Sequence, residues 1–239
     1  MQEPTPQLWL PAGIATRRVE WQEREFDVDE RDRAGTDPTA GRVAHVLGLA
    51  HTALTLATAA LAGTGPGAEE AMASLSGALA ELRRAADDFG PADEAAPSPA
   101  GADIPSVLTG LYVGQDVGRI DLLIRQVADI AWARWSRQPL PGEVWLPVRD
   151  LGEACLRLIG RASDVVELSA PSVVMDSELA DIGRRQRELG RLLLVRGASM
   201  ATDDAIHAAV LGRCYEECGN RAVAVARLVG LLRETTAVR

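Results

Sequence analysis

The stretch RCYEECGNRAVAVARLV, Arg213 to Val229, decides how the chain is read. On a helix, Val210, Leu211, Cys214, Cys218, Ala222, Val225 and Val229 fall on one face, and His207 shares it. That is the pattern of a core stripe. The opposite face carries Arg213, Glu216, Asn220 and Arg227. A second long helical stretch, GRIDLLIRQVADIA from Gly118 to Ala131, has the same rhythm. Sliding the chain on itself by 98 residues pairs Val127 with Val225 and Ala128 with Ala226, and the apolar positions fall into register. Val113, Val117, Ile120, Ile124, Val127, Ala128, Ala131 and Trp135 form the buried stripe of this earlier helix.

Working outward, the chain reads as helices separated by Gly/Pro breaks. DPTAGRVAHVLGLAHTALTLATAALAG is the first, with Thr36 or Asp37 as cap and Pro38 in its first turn. TGPG at 64–67 breaks it. AEEAMASLSGALAELRRAADD comes next, with acids early and arginines late, as the helix dipole favours. A Pro/Ala/Gly linker at 90–105 leads to a third helix from about Ser106 to Arg137. The segment 138–147, QPLPGEVWLP, reads as a loop because it holds three prolines. Further helices are expected over about 148–168, 172–196 and 203–235, the last capped by Thr202. No segment alternates strictly enough for a strand. The expected fold is all-α: two tandem three-helix bundles, 38–137 and 148–235, joined by a Pro-rich link at 138–147 and preceded by a charged extension at 1–37. The extension is expected to be a solvated tail.

Composition narrows the function classes. The chain has 239 residues, enough for a substantial core, and aromatics make up only 4%, so Leu, Val, Ala and Ile must fill it. A net charge of −9 repels phosphate backbones and argues against nucleic-acid binding. Every basic side chain is arginine, which excludes a Walker phosphate loop and Schiff-base chemistry, both of which need lysine. Three cysteines, Cys155, Cys214 and Cys218, do not make a disulfide framework and suggest a reducing compartment. No signal peptide and no run of about 18 apolar residues stands out, so a cytoplasmic protein without membrane insertion is expected.

Candidate chemistry is sparse. Cys214 and Cys218 sit on the core face and read as packing, because buried free cysteine behaves as a small hydrophobe. A zinc site wants about four ligands, and that face offers two Cys and His207. On the other face, Glu216 and Asn220 are four apart and could share a hard cation. Arg125 and Asp129 form a possible i,i+4 pair. GTGPG at 63–67 is preceded by no strand, so it does not read as a dinucleotide loop, and no serine sits in a nucleophile elbow. His45 and His51 are six apart and do not share a helix face.

The two long helices resemble the third helices of the PhoU family, regulators of phosphate uptake and phosphate signalling built as two homologous three-helix bundles. The family motif has the form E-R-[MI]-G-D-x-A-x-x-[IV]-A. YEECGNRAVAVA at 215–226 is similar at Tyr215, Glu216, Gly219, Ala222, Val225 and Ala226; GRIDLLIRQVADIA at Arg119, Leu123, Arg125, Val127, Ala128, Ile130 and Ala131. GRVAHVLGLAHTALTLATAAL resembles the family's first helix and RQRELGRLLL the end of its fifth, so the likeness covers about 41–233. In the family, E-x-x-x-D pairs hold iron or zinc clusters on the bundle surfaces. Here those positions are Gly118 and Leu122 in the first bundle, and Glu216 with Asn220 in the second; acids expected on the partner helices are replaced near Ala80 and Gly183. A cluster needs several carboxylates to balance its charge. The resemblance therefore implies no bound cofactor, with Glu216 and Asn220 as the residual metal-type pair.

The resemblance implies a non-enzymatic regulator or adaptor acting by docking. Its implied partners are the ATPase of a phosphate transporter and a phosphate-sensing histidine kinase, with a homodimer also in keeping with the family. Arg119, Arg125, Asp129, Arg213 and Arg227 are the candidate interaction residues. Trp9, Trp21, Trp132, Trp135 and Trp145 are either contact points or covers for the seam between the bundles. Two other classes remain open: a metal-binding helical protein using Glu216, Asn220 and acids of the tail, and a helical scaffold unrelated to phosphate.

Overall fold

The computed structural model describes residues 38–63, 65–89, 104–135, 139–168 and 174–237. The 1–37 extension, with Trp9, Trp21 and the expected caps Thr36 and Asp37, lies outside them, as does most of the 90–105 linker. The described chain is helical throughout: α1 Pro38–Ala60, α2 Pro66–Asp87, α3 Ile104–Arg134, α4 Gly142–Leu168, α5 Val174–Arg196 and α6 Thr202–Ala237, with a short 3-10 turn at Gly197–Ser199. α1, α2 and α3 pack on one another as one three-helix bundle, and α4, α5 and α6 as the second. The bundles meet through α1 against α4 and α3 against α6. One continuous core results, from Val43, Leu47 and Leu54 on α1 to Leu211, Tyr215 and Val229 on α6.

The side-chain pairs across the seam set its geometry. Asp116 meets Arg221, Arg119 meets Glu217, Gln126 meets Cys214 and Arg134 meets Asp204. Numbers rise on α3 as they fall on α6, so the two helices run antiparallel. α1 and α4 do the same: Ala44 meets Ser163 and His51 lies against Gly160. Arg119 and Glu217 are 98 residues apart, the offset of the internal repeat. Equivalent positions thus face each other, as they do on an approximate two-fold axis between the bundles. The repeat also shows in a glycine of each third helix. A Cβ on Gly114 would lie 2.6 Å from the Phe89 carbonyl oxygen, and one on Gly212 would lie 2.7 Å from Leu189 Cδ2 and strike Gln186 Oε1. In the first bundle the obstacle is backbone just past the end of α2, and in the second it is the far ends of two α5 side chains, which can shift.

Several boundaries differ from expectation. α3 stops at Arg134, short of Arg137. There the Trp135 N–H turns back to the Trp132 carbonyl, so Trp135 is half-buried at the turn and not part of the stripe. α4 starts at Gly142, so half of the expected 138–147 loop is helix. Pro141 supplies the first acceptor, taking the N–H groups of Val144 and Trp145, and Pro147 is tolerated one turn further on, where it leaves the Glu143 carbonyl without its helical donor. At α6, Ala201 and not Thr202 accepts the first bonds, from Asp204 and Ala205. The α1–α2 turn needs Gly63, with φ of 112°, a left-handed conformation that a side chain resists. Among the described residues α1 is long and apolar enough, by length and composition, to cross a membrane. Its apolar surface is covered by α2, α3 and α4, as expected of a core helix apolar on several sides.

Candidate functional site

The polar centre of the molecule is the α3–α6 seam. Glu217 accepts from Arg119 Nε at 2.9 Å and Nη2 at 3.4 Å, and lies 3.7 Å from both Arg213 and Arg221. Arg221 in turn donates to Asp116 Oδ1 at 2.7 Å. The Arg119 guanidinium holds the Glu217 carboxyl below the usual glutamate range, with Arg213 and Arg221 adding to it. At one end of the seam, Arg134, at the C-terminus of α3, donates to Asp204 at 2.7 Å and to His207 Nδ1 at 3.1 Å in the first turns of α6. A cation at a helix C-terminus facing acids at a helix N-terminus suits both dipoles. His207 is thus on the seam, half-buried, as a hydrogen-bond acceptor.

Behind this network lies a dry layer. Tyr215 is fully buried, its ring 3.0 Å from where a Cβ on Gly152 would be, and its hydroxyl shares a 3.0 Å hydrogen bond with Thr58 of α1. Burial pushes the Cys155 thiol up to about 12 and the Cys214 thiol to about 11, and holds Cys218 well above the ordinary cysteine range. All three cysteines are free and buried. Thiols that stay protonated at neutral pH are poor nucleophiles and poor metal ligands, so the core face of α6 is packing. Val210, expected in that stripe, lies at its edge and is 37% exposed, because the buried arc is centred nearer Tyr215.

The family's metal-bearing face can be inspected in each bundle. In the second, Glu216 and Asn220 of α6 line a cleft of about 390 Å³ with Asp176, Leu179, Ala180, Gly183 and Arg187 of α5. The position expected to carry a partner acid, Gly183, does face Glu216: a Cβ there would be 3.9 Å from Glu216 Oε1, but also 3.4 Å from Arg187 Nη1. Asp176 is engaged by Arg227. A guanidinium therefore stands beside the place where a ligand would be needed. In the first bundle the equivalent positions are Gly118 and the exposed Leu122, which supply no donor. Among the described residues no three His, Cys, Asp or Glu side chains converge. This donor set does not fit a multinuclear iron or zinc cluster, which needs several carboxylates.

Sequence reading missed Asp121. It is fully buried on α3, clasped by Arg125 Nε at 3.0 and 3.1 Å and by Arg83 of α2 at 3.3 Å, while Arg125 Nη2 reaches the Leu79 carbonyl at 3.0 Å. The pair expected between Arg125 and Asp129 is not formed; Arg125 turns the other way, toward a carboxylate already desolvated, and Asp129 stays exposed. A signal was present: an acid among Ile120, Leu123 and Ile124, at core spacing, with arginine four residues on. Glu217, Asp116 and Arg221 were also missed, since nothing in one helix shows what faces it across a seam. Of the other interaction candidates, Arg119 and Arg213 are joined to Glu217, and Arg227 to Asp176. Trp132 is 40% exposed and Trp145 packs on the core.

Fold and site together define a class: an all-α protein of two tandem three-helix bundles, with a repeated motif on the third helix of each. No model of a known protein family matches the chain. It is 28% identical over 193 residues, 79% of this chain and 89% of the relative, to the phosphate-specific transport system accessory protein PhoU homolog 2 of Mycobacterium bovis, and equally to that of Mycobacterium tuberculosis. Among solved structures, PhoU from Pseudomonas aeruginosa matches with a TM-score of 0.61 at 17% identity, over 82% of this chain and 95% of that one. A PhoU-like protein from Shewanella oneidensis matches at 0.60 and 15%, over 82% and 96%. The structural likeness shows the fold, and the mycobacterial relatives carry it into sequence. The chain is thus similar to PhoU proteins in fold and, over most of its length, in sequence.

Proposed function

We propose that this protein is a cytoplasmic regulator of phosphate transport and of phosphate-responsive two-component signalling, acting by docking and not by catalysis. The observation that supports this best is the likeness to the mycobacterial phosphate-transport accessory proteins, which runs over 193 residues, 79% of the chain. The partners proposed are the transporter's ATPase and a phosphate-sensing histidine kinase. A rigid two-bundle body suits such a role: it can bias a partner only by binding one of that partner's states better than the other. Arg213, Arg227 and Asp129 face outward and are the proposed contacts, whereas Arg119 ties the two bundles together and Arg125 ties α3 to α2 within the first. The test is affinity purification of the tagged full chain from cells grown with and without phosphate. Enrichment of the ATPase or the kinase, changing with phosphate supply, is the expected result; recovery of neither counts against this reading.

The protein is further proposed to work without a stable metal cluster, because Arg187, Gly183, Gly118 and Leu122 stand where carboxylates would be needed. Elemental analysis of the purified protein should give well under one iron or zinc per chain. Stoichiometric metal, lost on Glu216→Ala, would overturn the proposal and favour the metal-binding alternative.

A further inference from the structure

α5 runs GRRQRELGRLLLVR, and its arginines divide into two sets. Arg185 donates to Asp181 at 2.8 Å, Arg184 also engages Asp181, and Arg196 lies 3.7 Å from Glu143 of α4. Arg187 and Arg191 are exposed and have no carboxylate partner among the described residues, in a structure where arginine is otherwise widely paired. They are one helical turn apart on one face, and the next turn of that face carries Leu194 and Val195. Those two are 87% and 78% exposed, more than any other large hydrophobic side chain among the described residues. Beside this stripe the α5–α6 surface is shallow. A Cβ on Gly190 would meet nothing within 4 Å, and the cleft at Gly183 and Ala180 continues the same line.

Two unpaired cations followed by two bare aliphatic side chains ask for the converse: carboxylates about one turn apart followed by an apolar group. We propose that the outward stripe of α5, from Arg187 to Val195, docks an acidic amphipathic segment of a partner protein. A helix or extended strand of that composition would pair both guanidinium groups and cover Leu194 and Val195 in one approach. Other occupants fit less well. A bilayer of anionic lipid would be offered only two apolar side chains to bury, too few for stable interfacial binding. A second copy placed by a two-fold axis at the centre of this stripe would set Arg191 against Arg191 and Arg187 against the apolar end, pairing neither charge. Docking here depends on the surface of α5 and not on the identity of the partner, so it stands or falls apart from the phosphate reading.

The experiment is panning of a random 16-residue peptide library on the purified full chain, followed by fluorescence anisotropy with the selected synthetic peptides. Expected sequences carry Asp or Glu three or four residues apart, then Leu, Ile or Phe. Binding should weaken roughly tenfold for Arg187→Ala/Arg191→Ala and similarly for Leu194→Ser/Val195→Ser. Arg84→Ala, an exposed arginine on α2, should change nothing. Added salt should weaken wild type more than the double arginine variant. All replaced side chains are exposed, so thermal melts should match wild type and serve as the folding control. Unpatterned or basic peptides, no selected peptide, or equal binding by the α5 variants would overturn the proposal. So would co-sedimentation with phosphatidylglycerol vesicles that Leu194→Ser/Val195→Ser abolishes, which would assign the stripe to lipid. None of these results bears on whether the transporter ATPase or kinase is recovered from cells.

Discussion

Four residues apart on α3, Gly114 and Gly118 look alike in the sequence and are opposites in the structure. Gly114 has the Phe89 carbonyl 2.6 Å from any Cβ it might gain, whereas Gly118 has nothing within 4 Å. Gly118→Ala should therefore stabilise the protein by about 0.5–1 kcal/mol, the helix-propensity gain alone. Gly114→Ala should cost about 1–3 kcal/mol, because a backbone carbonyl must move. Chemical denaturation of the two variants side by side reads the difference. Tyr215 gives a second test at this scale. Tyr215→Phe leaves the Thr58 hydroxyl without its partner in the core and should cost about 1–2 kcal/mol, with Tyr215→Phe/Thr58→Val costing less than the sum of the single changes. The sequence marks Tyr215 only as a motif match and Gly114 not at all, since what each touches lies 157 residues away or in the turn that follows α2.

Between elements, one joint in the first bundle is ionic. Asp121 binds Arg83 and Arg125, and Arg125 binds the Leu79 carbonyl, so α2 and α3 are tied through a carboxylate with no access to water. Asp121→Ala should destabilise by about 1–2 kcal/mol, less than for a fully buried pair because Arg83 and Arg125 keep access to water; loss of less than about 0.5 kcal/mol in urea unfolding would show that the guanidinium groups re-solvate freely. Between α1 and α4, His51 is held below its ordinary value of 6.5 by burial. The unfolded chain then binds the proton more readily, so His51's stabilising contribution is complete above pH 6.5 and is lost as pH falls through its folded value. Melting temperature should drop across that window and drop less in His51→Gln. Periodicity shows the helices and the face each one buries, because apolar spacing is a property of one helix. It does not show joints such as Asp121–Arg83, because they depend on the angle and register at which two helices meet. The start of α4 was hidden for another reason: Pro139, Pro141 and Pro147 look like one loop, yet proline is also accepted in the opening turns of a helix.

At the scale of the whole molecule, the two bundles are locked by Arg119, Glu217, Arg221 and Asp116. Glu217 is held below its ordinary value of 4.5 by Arg119, so its contribution is present above pH 4.5 and is lost as pH falls through the lowered folded value. Acid should loosen the seam as Glu217 takes up its proton. Arg119→Ala and Glu217→Ala should each lower the midpoint of urea unfolding, modestly for Arg119 because it is partly exposed, and the double change should cost less than the sum of the two. Simple additivity of the two changes would mean that the pair follows the packing and does not help hold it. The repeat itself was legible at an offset of 98 residues, but not that the two equivalent positions would touch.

That contact bears on how such a chain can arise. If two identical half-chains met about a true two-fold axis, the residue at the centre would face its own copy. Arginine would meet arginine, or glutamate would meet glutamate. Attraction at that point is open only to halves that differ in sequence, and two halves of one polypeptide are free to differ. The Arg119–Glu217 pair is thus a contact that two identical halves could not make: the chain gains from having broken its own symmetry.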